Sequence, residues 1–390
     1  MNKISYGKQN IDEEDINAVI ESLKSPWLTQ GPKIEEFEQK IAEYHNCKYA
    51  VAFSNGTAAL HACYRVTGIK PGEEFITTPI TFAASANAGL YCGAIPKFVD
   101  IDSKTYNINI DMIEKNITDK TKVITPVSYS GYPVDLSKVR KIADKYNIKV
   151  IHDAAHAIGA KLNNEDIVKN ADMTILSFHP VKHLCTGEGG MVLTNNEKYY
   201  EKLKIFRSHG ITKAPEYLNH SDGPWDYDMI ELGFNYRITD IQCALGISQL
   251  NKLDWSLYRR NQIAKKYYND LKGIEWLTLP PQFEMNLNSQ KEFKGSKNIN
   301  SYHLFPILIK DKNKRLNFFN YLHENNILVQ VHYIPVHTLD YYQKTFGYKI
   351  GDYPVSEDFY GREISIPMFP TLTNEEQDYI IKIIEEYNFE

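Results

Sequence analysis

The sequence predicts an α/β protein: a large domain on a mixed, mostly parallel sheet, followed by a smaller C-terminal α+β domain. Three observations predict it. From residue 48 onward, short apolar runs alternate with helical stretches, and strands separated by helices need the crossover connections of parallel pairing. A long helical pattern from about Asp240 to Leu271 then interrupts that alternation, and a second, shorter mixture of strands and helices follows it. Finally, 390 residues suit two or three domains. The expected divisions are an N-terminal arm (1–12), a large ligand-binding domain (13–248) and a small C-terminal domain (249–390).

Taken in order, Ile16, Val19, Ile20 and Leu23 share one helical face, and Ile34, Phe37, Ile41 and Tyr44 share another. Between them, the two prolines and the glycine of Ser25–Pro32 predict an ordered loop. The predicted strands of the large sheet are Tyr49–Phe53, Phe75–Thr78, Ile95–Ile101, Val123–Val127, Lys149–His152, Met173–Phe178 and Met191–Thr194. Asp135–Tyr146 is a helix with Leu136, Val139 and Ile142 on one side. Beyond Leu271, the polar stretch Gln282–Ser301 reads as a mobile surface insertion. Tyr302–Ile309 and Leu328–His332 read as strands, and Lys314–Asn325 and Asn374–Tyr387 as helices.

Composition excludes several classes. A net charge of −5 does not suit a large phosphate-backbone partner, so no nucleic acid is expected. No run approaches the roughly 18 apolar residues of a membrane span, and the start of the chain lacks the apolar core of a signal peptide. The five cysteines are odd in number and never spaced Cys-x-x-Cys, so a disulfide scaffold is not expected and a reducing cytoplasm is.

In open parallel sheets ligands gather at the carboxyl ends of the strands, and four segments of interest fall there. Ser54-Asn55-Gly56-Thr57-Ala58-Ala59-Leu60 follows a strand and opens a helix, whose free amides suit a phosphate; it also reads as an ordinary strand-to-helix turn. His152-Asp153-Ala154-Ala155-His156 closes another strand. Two histidines four apart suggest a metal, but His152 ends a strand and does not sit on a helix, so no metal site is expected. Asp153 can face a ligand over the sheet or cap a helix. Ser177 to Gly190 is a loop bounded by Pro180 and clustered glycines, with Lys182 inside it. A lysine in a packed loop loses hydration, which lowers its pKa and frees its amine as a nucleophile toward carbonyls. Phosphate turn, aspartate, serine and lysine together are the parts needed to hold an aldehyde cofactor bearing a phosphate and a ring nitrogen. Gly233-Phe234-Asn235-Tyr236-Arg237, before the long helix, has no assignment from spacing alone.

These segments, with Leu28-Thr29-Gln30-Gly31-Pro32, resemble the DegT/DnrJ-type sugar aminotransferases over nearly the whole chain. The resemblance implies the fold-type I scaffold, pyridoxal 5′-phosphate as cofactor, and a homodimer with shared active sites. It implies that Lys182 carries the cofactor as a Schiff base and later moves protons, and that Asp153 faces the ring nitrogen. Phe82 would stack on the ring, His156 would lie near the ring hydroxyl, and Gly56, Thr57 and Ser177 would bind the phosphate, with Asn235 reaching it from a partner subunit. Tyr6, Trp27, Leu28, Thr29, His332 and Tyr333 are the implied sugar-nucleotide contacts. The chain is most similar to the branch that serves pseudaminic acid synthesis, which implies L-glutamate and a UDP-linked 4-keto sugar as substrates. Another nucleotide-linked 4-keto sugar is the alternative, and a non-catalytic relative is the rival of another class. One departure from the family is His183, directly after Lys182, since a branch with histidine in place of the lysine removes a hydroxyl instead.

Overall fold

The computed structural model describes residues 2–219, 222–284 and 287–389. Its centre is a seven-stranded sheet in the spatial order Tyr49–Phe53, Gly190–Thr194, Met173–Ser177, Lys149–Asp153, Thr121–Ile124, Glu74–Thr77, Ile95–Phe98. Every neighbouring pair is parallel except the two made by Gly190–Thr194, which runs against both neighbours. All seven predicted strands are present, each within a few residues of its expected span. Their residues are nearly all buried on both faces because helices cover the sheet, which is why the strands read as continuous apolar runs and not as alternating ones.

The helix Gly56–Thr67 packs on one face through Ala59, Ala62, Cys63 and Tyr64, all fully buried with Phe53, Phe75 and Val192. On the opposite face Phe37 and Ile41 of the helix Pro32–Tyr44 meet Ala52, Phe178 and Met191. Burying a side chain of that size contributes roughly 1.5–3 kcal/mol, so these layers hold the sheet's carboxyl edge rigidly. The long predicted helix is broken at Lys252 into Asp240–Asn251 and Leu253–Leu271.

A second sheet, three-stranded and antiparallel, is formed by Leu277–Thr278, Phe305–Ile309 and Glu363–Ile366. The helices Leu253–Leu271, Arg315–Glu324 and Asn374–Glu385 pack around it on Phe305, Ile307, Phe318, Ile380 and Ile384. Near the start of the chain, Ile4–Ser5 pairs in parallel with Ile327–Leu328 of this C-terminal unit. The expected strand Leu328–His332 is thus shorter and earlier, ending at Leu328, and Gln330 then makes a single bridge to Ser365.

One further sequence expectation needs correction. The stretch 282–301 is not a loose insertion. Met285 and Asn286 lie outside the described residues, but Gln290–Lys294 is a helix, Phe293 and Ile299 are buried in the core, and Ile299 bridges Lys161. Its polar composition hid two anchors spaced too far apart to register as a period. The helix Glu13–Lys24 forms as expected, yet Ile16, Ile20 and Leu23 are exposed, and it is Asp15 and Ser22 that are buried. Its apolar stripe is turned away from the body of this chain.

Candidate active site

The sheet order decides which residues meet. Gly190 pairs with both Phe53 and Ser177, so the turn after Phe53 and the end of the strand Met173–Ser177 lie side by side. A Cβ on Gly190 would fall 2.6 Å from the backbone of Asn55 and 2.7 Å from the Gly56 nitrogen, so only glycine lets that turn rest on the strand. The Asn55 side chain accepts from the Ala58 amide (2.8 Å) and caps the helix. Gly56 and Thr57 form the first turn of that 12-residue helix, where amides lack intrahelical acceptors. A Cβ on Gly56 would lie 3.3 Å from the Ser177 hydroxyl, so the glycine keeps that hydroxyl open to the same space. Amides, dipole and hydroxyl together make an anion cradle.

Asp153 closes the next strand over, paired with Ile175. Its carboxylate is buried and accepts from Ser85 Oγ (2.6 Å) and the Ala155 amide (3.1 Å), while Thr81 Oγ1 lies 2.7 Å from Ser85 Oγ. Burial pushes its pKa up, against the lowering effects of Ser85, Ala155 and Lys182. A buried carboxylate with no cation in hydrogen-bonding contact favours a protonated nitrogen beside it. Phe82, between Thr81 and the helix Ala84–Leu90, is 62% exposed, with its ring 6.0 Å from that of Tyr333.

Lys182 lies in the loop after Ser177. Burial lowers its pKa from 10.5 to about 7, although Asp153 pulls the other way. Its amine therefore sheds its proton near neutrality, as a nucleophile toward a carbonyl requires. The surroundings are histidines. Nζ is 3.3 Å from His303 Nε2; the His303 ring is 4.3 Å from that of His156; and His156 Nε2 is 3.2 Å from the Tyr333 hydroxyl. His183, next to the lysine, has its Nε2 2.8 Å from the Ser301 carbonyl, a contact that turns it away from the lysine's role. Burial pushes all of His156, His183 and His303 well below the ordinary imidazole value, so the rings are neutral.

Tyr6, His332 and Tyr333 border the same cluster: the His332 ring lies 5.0 Å from both tyrosine rings. The Tyr129 hydroxyl donates to the His332 carbonyl (2.6 Å), and buried Glu363 accepts from its amide (2.7 Å). Trp27, Leu28 and Thr29 are placed elsewhere. They are exposed beside the start of the helix Asp240–Asn251, where Asp240 donates its amide to the Leu28 carbonyl and Thr29 bridges Thr239. Asn235 is exposed and its backbone pairs with Ser208, while the carbonyl of the next residue, Tyr236, accepts from the Ser54 amide (2.8 Å) just ahead of the cradle.

His152 is structural. Its Nε2 lies 2.7 Å from Ser128 Oγ and its Nδ1 2.9 Å from the Ile167 carbonyl, and among the described residues no group of His, Cys, Asp and Glu is arranged to hold a metal. Cys185 is buried and serves as a small filler. His303, Ser85, Tyr129 and Glu363 went unnoticed in the sequence. Only His303 left a signal there, as a polar residue leading into the apolar strand Phe305–Ile309.

The residues fit a phosphorylated pyridine aldehyde: an amine held near neutrality, a buried carboxylate, an anion cradle and an exposed aromatic ring. His156 adds a buried Nδ1 without a protein partner, which suits an oxygen on that ring.

A profile of the DegT/DnrJ/EryC1/StrS aminotransferase family matches residues 9–385. The UDP-4-amino-4,6-dideoxy-N-acetyl-β-L-altrosamine transaminase of Campylobacter jejuni is 40% identical over 93% of this chain and 92% of its own. The GDP-perosamine synthase of Escherichia coli O157:H7 is 35% identical over 95% of this chain and 94% of its own. Among solved structures, Helicobacter pylori PseC, described as an aminotransferase involved in pseudoaminic acid biosynthesis, superposes with a TM-score of 0.89 at 33% identity, covering 99% of both chains.

Proposed function

Because the chain belongs to the DegT/DnrJ/EryC1/StrS aminotransferase family, whose members depend on pyridoxal 5′-phosphate, we propose that it aminates a UDP-linked 4-keto-6-deoxy-N-acetyl sugar. L-glutamate is the donor and UDP-4-amino-4,6-dideoxy-N-acetyl-β-L-altrosamine the product, a step toward pseudaminic acid. The observation that carries the proposal is the placement of Lys182, Asp153 and the Gly56–Ser177 cradle on one sheet edge, in a chain 40% identical to a transaminase of that name. The alternative, another nucleotide sugar, draws on the 35% identity to a GDP-perosamine synthase.

When bound, pyridoxal phosphate supplies an aldehyde for amine exchange and a ring that accepts electrons. The Gly56 and Thr57 amides and the Ser177 hydroxyl would hold its phosphate, and Asp153 would keep its nitrogen protonated. Phe82 would cover a face of the ring and His156 would meet its hydroxyl. Lys182 would carry the group covalently; once freed, its Nζ takes a proton from the donor's α-carbon and returns one to the acceptor side. Tyr6, His332 and Tyr333 would orient the sugar and exclude water. Trp27, Leu28, Thr29 and Asn235 join a site only if a second copy supplies them, so the working unit is a homodimer in this proposal.

The test is incubation with glutamate and, separately, UDP-, dTDP- and GDP-linked 4-keto-6-deoxy sugars, with products identified by NMR. Amination of the UDP-N-acetyl sugar alone is expected. Preference for another nucleotide sugar would select the alternative, and no oxoglutarate formation with any of them would sink the activity altogether. Borohydride reduction of the holoprotein should leave the cofactor's mass on the Lys182 peptide.

A further inference from the structure

The mechanism above uses Lys182, but the side chain in contact with its amine comes from the other sheet. His303 precedes the strand Phe305–Ile309, 121 residues further along the chain, and the backbone carries it to the sheet edge: Ser301 donates its amide to the Gly131 carbonyl (3.1 Å) and Leu304 to that of Ser130 (3.3 Å). The imidazole is 4% exposed, its Nε2 lies 3.3 Å from Nζ, and its Nδ1 has no protein partner.

We propose that His303 is a positioning residue for Lys182: a neutral imidazole whose Nε2 accepts a hydrogen from Nζ and so turns the amine's lone pair toward the reacting carbon.

Three observations carry this. The groups acting on the His303 ring are Lys182, His156, His183 and Arg260; together with burial each disfavours the imidazolium, and among the described residues no carboxylate acts on the ring, so it stays neutral. A neutral imidazole has one N–H, and Lys182 as an ammonium has no lone pair, so in that state the nitrogen facing Nζ is the acceptor and the hydrogen sits on Nδ1; the proposal keeps this tautomer when the amine is neutral. Once Nζ loses its proton it still has two hydrogens. Donating one to Nε2 leaves its single lone pair pointing away from His303, as a general base requires. The ring is held for this by packing against His156 and His183, with centroids at 4.3 and 5.7 Å. Asp153, His156, His183 and His332 also act electrostatically on or with Lys182, and all remain in place in the variants below.

The proposal rests on the aminotransferase assignment, and the two can fail separately. The variants are His303→Phe, which fills the space without an acceptor, and His303→Gln, whose amide oxygen can replace Nε2. Single-turnover rates with glutamate should fall at least tenfold in His303→Phe, with the KM for glutamate within threefold of the parent, and His303→Gln should recover most of that loss. In cofactor-free protein, Lys182 acylation followed by peptide mass spectrometry across pH gives a second readout. Losing the acceptor destabilises the ammonium, so the labelling midpoint should move to lower pH in His303→Phe and return in His303→Gln. Should His303→Phe not fold, His303→Leu takes its place. Parent-like rates and labelling in the apolar variant, or a glutamine variant no better than phenylalanine, would overturn the positioning role. A parent enzyme with no glutamate half-reaction would instead remove the assignment beneath it.

Discussion

At the scale of single residues, the site depends on charges moved by burial. Lys182→Ala should abolish transfer while leaving the fold intact, because the residue sits in a loop and anchors no core; transfer within tenfold of the parent would refute its role. Stability follows the lysine's proton. In the folded chain it leaves near 7, against an ordinary 10.5, so across that window the unfolded chain holds more protons and stability rises with pH. Cofactor-free Lys182→Met, freed of the buried ammonium, should therefore melt above the parent at neutral pH, and the gap should close toward about pH 10. A constant gap in thermal scans would show that burial of the charge is not its cause. Asp153→Asn should slow the glutamate half-reaction by several orders of magnitude, since an amide cannot hold the ring nitrogen protonated; near-parent stopped-flow rates would point to another group. The placement of Lys182 and Asp153 was legible because Asp153 closes a strand and Lys182 lies in the loop after one, each in a short, distinctive segment. His303 was not, because it fell within the predicted strand Tyr302–Ile309, where one polar residue carries no mark of a partner, and its contact spans 121 residues.

At the scale of elements, the cradle is a three-part contact between a helix start, a strand end and the antiparallel strand between them. Gly190→Ala would drive a Cβ to 2.6 Å from the Asn55 backbone, which cannot yield as a flexible side chain would, so the turn must lift off. We expect cofactor affinity to fall at least tenfold, read by equilibrium dialysis, with a smaller loss of thermal stability; parent-like binding would show that the turn does not hold the phosphate. The strands were legible from their apolar runs. The pairing order was not, because a run of buried residues carries no mark of its neighbours. Helix Glu13–Lys24 shows the limit of periodicity: the stripe Ile16, Ile20, Leu23 was read correctly, but a pattern does not say what covers it.

At the scale of the whole molecule, the proposed homodimer would give that stripe a use. Leu23 and Trp27 are each 54% exposed, and burying side chains of this kind is worth roughly 1.5–3 kcal/mol apiece, so leaving the patch in water is costly. Phe234, Leu232 and Met229, near Asn235, are exposed as well. Light scattering should give twice the chain mass of 45.0 kDa, and Leu23→Asp should shift the population toward monomer and lower activity in parallel. A fully active monomer would rule out shared sites. No helix among the described residues is long and apolar enough to cross a membrane.

The pairing of Ile4–Ser5 with Ile327–Leu328 sets Tyr6 against His332. Proteins emerge from the ribosome amino end first, so this proposed wall of the sugar site waits for segments made more than 300 residues later. A nascent chain halted near residue 300 would already carry Lys182 beside Asp153, yet Tyr6 would have nothing to lean on. Stalled-chain complexes should thus acquire the binding cradle before they acquire any grip on sugar.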